Sequence, residues 1–168
     1  MTRLLLLGVC LWVTACGGSD AAPTPPVPAA NVSAVGEGAL VLHQSSDTRF
    51  LAALETPVRV RENAGGSATW QFARMSILMN GVERERNELS RDQIASAGFN
   101  SITANQSSVV RMIFRFNSQE FNGITMTLGM ADNKDNRNFT VDVPFNTFTD
   151  VLLSNTPASF TAPRLTRE

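Results

Sequence analysis

Three segments toward the C-terminal end alternate apolar and polar residues with a period of two, and this constrains the fold more than any other feature. Val110, Met112, Phe114 and Phe116 alternate with Arg111 and Arg115. Ile124, Met126, Leu128 and Met130 alternate with Thr125, Thr127 and Gly129, and Phe139, Val141, Val143 and Phe145 with Thr140, Asp142 and Pro144. Successive side chains of a strand point to opposite faces, so each segment reads as a strand with one face on a core and one in solvent. That is the habit of antiparallel sheets. Asp132 to Asn136 reads as the turn between the last two strands.

The residues before them continue the pattern. Ala39-Leu40-Val41-Leu42 predicts a first strand entered through Gly36 and Gly38, with a polar turn over Gln44 to Asp47. Val58 and Val60 alternate with Arg59 and Arg61 in a strand started by Pro57 and broken by Ala64-Gly65-Gly66-Ser67. Thr69 to Met79 is the longest apolar candidate. Its phase flips between Phe72 and Met75, which predicts a bulge near Ala73-Arg74 or burial on both faces. Asn80-Gly81 predicts a type I′ hairpin, whose two central residues need positive φ. Val82 to Arg86, charged on both faces, suits a protected edge strand. Ser90-Arg91-Asp92-Gln93 has the form of a capping box and predicts a short helix over about 90–97, ended by Gly98.

About seven short strands separated by turns indicate an all-β, antiparallel β-sandwich. In this pattern the body, about Val32 to Phe145, resembles an immunoglobulin-like or fibronectin-III-like domain. The resemblance implies two packed sheets with Trp70 in the buried tryptophan position. The chain departs from the immunoglobulin pattern in having no Cys-Trp-Cys framework, and without tyrosine it has no tyrosine corner. Beyond Asn146, Val151-Leu152-Leu153 is expected to add an edge strand or to wrap the sandwich.

At the other end, Arg3, the apolar run Leu4 to Val13 and the small pair Thr14-Ala15 follow the layout of a secretory signal. As a helix the run covers about 15 Å, roughly half a bilayer core, which is too short for a lasting span. Val13-Thr14-Ala15-Cys16 resembles the lipobox of bacterial lipoproteins. The resemblance implies cleavage between Ala15 and Cys16 and a lipid carrying palmitate-type chains on the Cys16 sulfur. It also implies a home in the bacterial cell envelope, on the periplasmic side or the cell surface. Gly17 in place of Asp after the cysteine favours the outer membrane in the enterobacterial sorting pattern. The alternative is an ordinary signal peptide cut near Ala15. Cys10 leaves with the signal in either case, so the mature chain is expected to hold no disulfide.

Asp20 to Ala30 contains four prolines and reads as a polyproline II spacer rather than a folded element. The expected organisation is therefore a signal peptide over 1–15, a lipidated cysteine and tether over 16–30, a sandwich over 31–161 and a tail over 162–168.

Charge and composition narrow the function. Loss of Arg3 leaves 13 Lys and Arg against 15 Asp and Glu, which is no electrostatic footprint for nucleic acid. His43 is the single histidine, which excludes a multi-histidine metal site. The run from His43 to Asp47 holds the residue types of a serine triad but reads as a strand-end loop. Glu83 and Glu85 are expected on one strand face, about 6.5–7 Å apart by the strand rise, near the spacing of paired glycosidase carboxylates. Their arginine neighbours fit a solvated edge better.

Asp132 and Asp135 lie in an oxygen-rich run that is a weak calcium candidate, although Lys134 sits among the ligands and a polar turn fits better. No other metal and no cofactor beyond the lipid is expected. Arg111 and Arg115 predict a face for an acidic partner, and Phe99 and Phe121, in loop-like contexts, are the candidate exposed anchors. Together these features predict a lipid-anchored, non-catalytic interaction or scaffolding module with an envelope protein partner. The alternatives are an envelope hydrolase, an accessory domain of one, or a small-ligand carrier using the gap between the sheets.

Overall fold

The alternating segments resolve into a shared interior. A computed structural model describes residues 25–45, 49–145 and 151–158. Its elements in order are β1 Val32–Gly36, β2 Leu40–Ser45, β3 Ala52–Glu62, β4 Ala68–Met79, β5 Val82–Ser90, α1 Arg91–Ser96, β6 Ser101–Ile102, β7 Ser107–Phe116, β8 Gly123–Asp132, β9 Asn138–Asp142 and β10 Val151–Ala158. They form two five-stranded sheets, antiparallel except where β10 runs parallel to β2. The signal run, Ala15, Cys16 and the final tail fall outside the described residues.

In the first sheet β3 pairs with β7 along one edge. On its other edge it pairs with β2 over Ala52–Glu55 and with β1 over Val58–Glu62. In the second, β4 lies between β8 on one side and β5 and β6 on the other, and β9 completes the far edge of β8. The neighbours β3 and β7, like β4 and β8, are distant in sequence. The chain therefore crosses repeatedly between sheets, as in immunoglobulin-like sandwiches. Among the described residues the strands number ten rather than about seven because β1 precedes the expected first strand, β6 is a two-residue fragment, and Val151–Ala158 adds a strand.

Val110, Met112, Phe114 and Phe116 of β7 are at most 1 % exposed and meet Met126, Leu128 and Met130 of β8 in one core, with Trp70 among them. Each such large side chain contributes about 1.5–3 kcal/mol by leaving water. This packing fills the space between the sheets.

Pro57 does not start a strand but sits in the middle of β3. Its carbonyl accepts from the Glu37 amide, so its ring nitrogen faces the same edge, where β2 has ended and β1 has not begun. No ladder bond is lost there. Two bulges also differ from expectation. The flip in β4 occurs between Trp70 and Phe72, leaving Gln71 as the extra residue, rather than at Ala73-Arg74. A second lies in β5, where Ile77 opposes Glu85 and Leu78 opposes Glu83, leaving Arg84 extra.

The Asn80-Gly81 turn has both φ values positive, at 53 and 80 degrees. The helix is capped as its sequence predicts. The Ser90 hydroxyl accepts from the Gln93 amide while the Gln93 side chain accepts from the Ser90 amide, and Gly98 adopts φ 90 degrees beyond the last turn.

One end of the sandwich is organised by Glu62, whose place in the Val58-Val60-Glu62 alternation turns it inward. It is fully buried. Its carboxylate accepts four backbone amides: Asn31 at 3.1 Å, Ala64 at 3.0 Å, Gly65 at 2.8 Å and Asn105 at 2.9 Å. Burial pushes its pKa up, but the four donors outweigh this and hold it at about 2, against an ordinary 4.5. Beside it Asp132, also buried, accepts from the amides of Ala30 and Lys134. The segment that leads into the domain is thus gripped at Ala30 and Asn31 by two buried carboxylates. It passes over Gly66, where a Cβ would lie 2.7 Å from the backbone of Ala29 and Ala30.

Glu62→Gln replaces one accepting oxygen with a donor and leaves part-buried amides without their acceptor, which costs about 1–3 kcal/mol at neutral pH. Urea unfolding should show that loss. Because the folded pKa is depressed, the stabilisation from Glu62 is complete above pH 4.5 and drains away as pH falls toward 2. The wild-type chain should lose stability across that window, and the variant should lack this component.

Candidate functional site

The outward positions of the first sheet gather the candidate residues that belong together. Alternation in β3 sends Ala53, Glu55 and Pro57 outward, and that in β7 does the same for Arg111, Ile113 and Arg115. Register then sets His43, Ala53 and Arg115 in one row across β2, β3 and β7, with Val41, Glu55 and Ile113 in the next and Pro57 beside Arg111. His43 therefore sits within a strand, not in a strand-end loop, because β2 extends through Ser45.

Glu55 joins the two ends of this patch. One of its oxygens lies 3.0 Å from His43 Nε2 and the other 3.4 Å from an Arg111 guanidinium nitrogen. A carboxylate only accepts, so Nε2 is the protonated nitrogen in this pair. The His43 and Glu55 side chains are 13 % and 17 % exposed, whereas Arg111 is 45 % exposed. The guanidinium thus reaches solvent from an anchored base.

Between these groups Ala53 and Ile113 form a small apolar cluster of their own, buried although they lie on the outer side of the sheet. Along β3 the face continues through Arg59, paired with Glu37 through two nitrogens, and Arg61. Among the described residues, four arginines and one histidine thus face two glutamates here, on a chain with net charge −1. The face is basic on an acidic protein.

Phe99 is not an exposed anchor. It is 5 % exposed and belongs to the main core. The cause lies at the end of α1. The Gly98 amide donates to the Ala95 carbonyl and the Phe99 amide to that of Ile94, a Schellman arrangement whose usual companion is an apolar contact between those outer positions. Gly98 followed by Phe99 carries that signal in the sequence. Phe121 is likewise half-buried against the core rather than presented.

Glu83 and Glu85 do not share a face. The extra residue Arg84 turns Glu85 toward the inner side with Ile77, while Glu83 follows Leu78 outward. Glu85 takes the Asn117 backbone amide with both oxygens, tying the edge of one sheet to the end of the other. Glu83 is held below the usual carboxylate range by the Ser76 hydroxyl and by Arg86.

Asp132 and Asp135 are occupied as turn-makers. Asp132 accepts backbone amides on both oxygens and Asp135 accepts from the Arg137 amide. Among the described residues no three His, Cys, Asp or Glu cluster as a metal would need, and no helix is long and apolar enough to cross a membrane. Glu55 and Glu62 escaped the sequence reading, although alternation places the first outward beside His43 only once β2 is paired with β3.

Two comparisons with known proteins bear on this site: no family model matches the chain, and no curated protein matches it.

Phe99→Ala should behave as a core truncation and cost about 3–5 kcal/mol of stability. A thermal or urea melt checks this, and a variant with unchanged stability would return Phe99 to the surface.

Proposed function

We propose that the protein is a lipid-anchored, non-catalytic interaction module of the bacterial cell envelope, binding an acidic protein partner through the outer face of its first sheet. The observation that carries this is the basic outer face itself, where Arg111, 45 % exposed, and Arg115 flank the His43–Glu55 pair over the buried Ala53 and Ile113. Arginine in particular suits bidentate capture of carboxylates. The lipobox-like Val13-Thr14-Ala15-Cys16 and the proline-rich spacer support the anchor. Two or more acyl chains hold a protein stably without help from the folded body.

The grip on Ala30 and Asn31 adds a geometric argument. It brings the chain at Ala30 and Asn31 in at one pole of the sandwich, away from the middle of either sheet face. A hydrolase reading draws on one observation, the Glu55 carboxylate that orients His43, and is carried as the second reading.

Metabolic labelling with an alkyne palmitate should mark the wild-type chain, while Cys16→Ser should lose both the label and membrane fractionation. Crosslinking in intact cells followed by mass spectrometry should recover one dominant partner. Arg111→Glu with Arg115→Glu should reduce that recovery at least tenfold, on the order expected when charge-assisted contacts become repulsive. Recovery unchanged by the double reversal, or activity lost in His43→Ala while the fold persists, would turn the assignment toward the second reading.

A further inference from the structure

We propose that the outer face of the second sheet carries a binding site for a neutral saccharide. The site is independent of the basic face and lies on the opposite side of the sandwich.

It begins with the bulge in β4. Trp70 points into the core and opposes Met130, whereas Phe72 opposes Gly129, so the extra residue Gln71 and its neighbour Phe72 face a strand position that has no side chain. The ring of Phe72 fills part of the missing volume: a Cβ on Gly129 would lie 2.1 Å from it. The next strand places Thr140 directly across from Gly129, with Asn138 two residues before it. Between these groups is a hollow of about 420 Å³, bounded by Gln71, Phe72, Gly129, Asn138 and Thr140, with Met130 and Phe139 also lining it. That volume falls in the range of small-molecule sites. A glycine and a bulge meeting at one place in a sheet are a recurrent mark of close approach by another group.

The lining decides the ligand class. Among the described residues no charged side chain borders the hollow. Arg74 lies over the Phe72 ring at 4.7 Å and is paired with Glu88 at 2.7 Å, which braces the ring. Gln71, Asn138 and Thr140 commit no side-chain hydrogen bond to any described residue. Two amides and a hydroxyl each donate and accept, which matches the hydroxyl groups of a sugar. The Phe72 ring, covered on one face by Arg74, adds an apolar wall against which sugar C–H groups can pack. β9 is the edge strand of its sheet, which leaves the hollow open at the side for a longer glycan to pass.

The test is a titration of the isotope-labelled full chain, held in a sugar-free detergent, with cellotriose, maltotriose, tri-N-acetylchitotriose and, as a charged control, trigalacturonate. At least one neutral trisaccharide should give saturable amide shifts at Gln71, Gly129, Asn138 and Thr140 at millimolar concentration. Asn138→Ala with Thr140→Ala, both exposed, should weaken that binding at least about tenfold, the effect of losing hydrogen bonds to a polar ligand. Gly129→Ala, which drives Phe72 from its place, should abolish it, and the exposed double variant keeps the test decisive if that glycine variant folds poorly. The proposal is overturned if no neutral trisaccharide shifts these amides, if trigalacturonate alone does, or if the double variant binds as well as wild type.

Discussion

The carboxylate of Glu62 is the interaction on which one whole end of the sandwich depends. Three chain segments converge there, and each turns part-buried backbone amides toward the buried carboxylate. Unpaired, those amides would each cost kilocalories. One buried anion satisfies four of them, and the donors in turn hold that anion ionised. Asp132 repeats the solution next door for Ala30 and Lys134. The point at which Ala30 and Asn31 enter the domain is therefore a built joint.

A second theme is how local departures from regular pairing shape surfaces. The bulge at Gln71 keeps Trp70 and Met75 in the core while leaving a hollow beside Gly129. The bulge at Arg84 converts what would be a pair of surface carboxylates into one surface ion pair and one strut between the sheets. The prolyl residue in β3 is harmless because two partner strands change over beside it. In each case an irregularity costs little to the ladder and changes what the outer face offers.

The outer faces consequently differ in chemistry. The first sheet presents arginines around a small apolar centre, with His43 and Glu55 locked together. The second presents neutral hydrogen-bonding groups around an aromatic ring. A protein that binds through both, as proposed, would hold an acidic partner on one side and a saccharide on the other.

The amino-acid order by itself determined the sandwich class, the hairpin at Asn80-Gly81, the capped helix and the inward and outward faces of β7, β8 and β9. These follow from side-chain periodicity, turn stereochemistry and capping, all of which act over a few residues. Only the tertiary structure decided which outward residues meet. Glu55 comes to His43 because β2 pairs with β3, and Glu62 comes to Asn105 because β3 pairs with β7. The same holds for the bulges, since the position of a bulge is set by the partner strand. Register between strands distant in sequence is a property of the packed whole, because the free energy that selects it comes from a core no single segment contains.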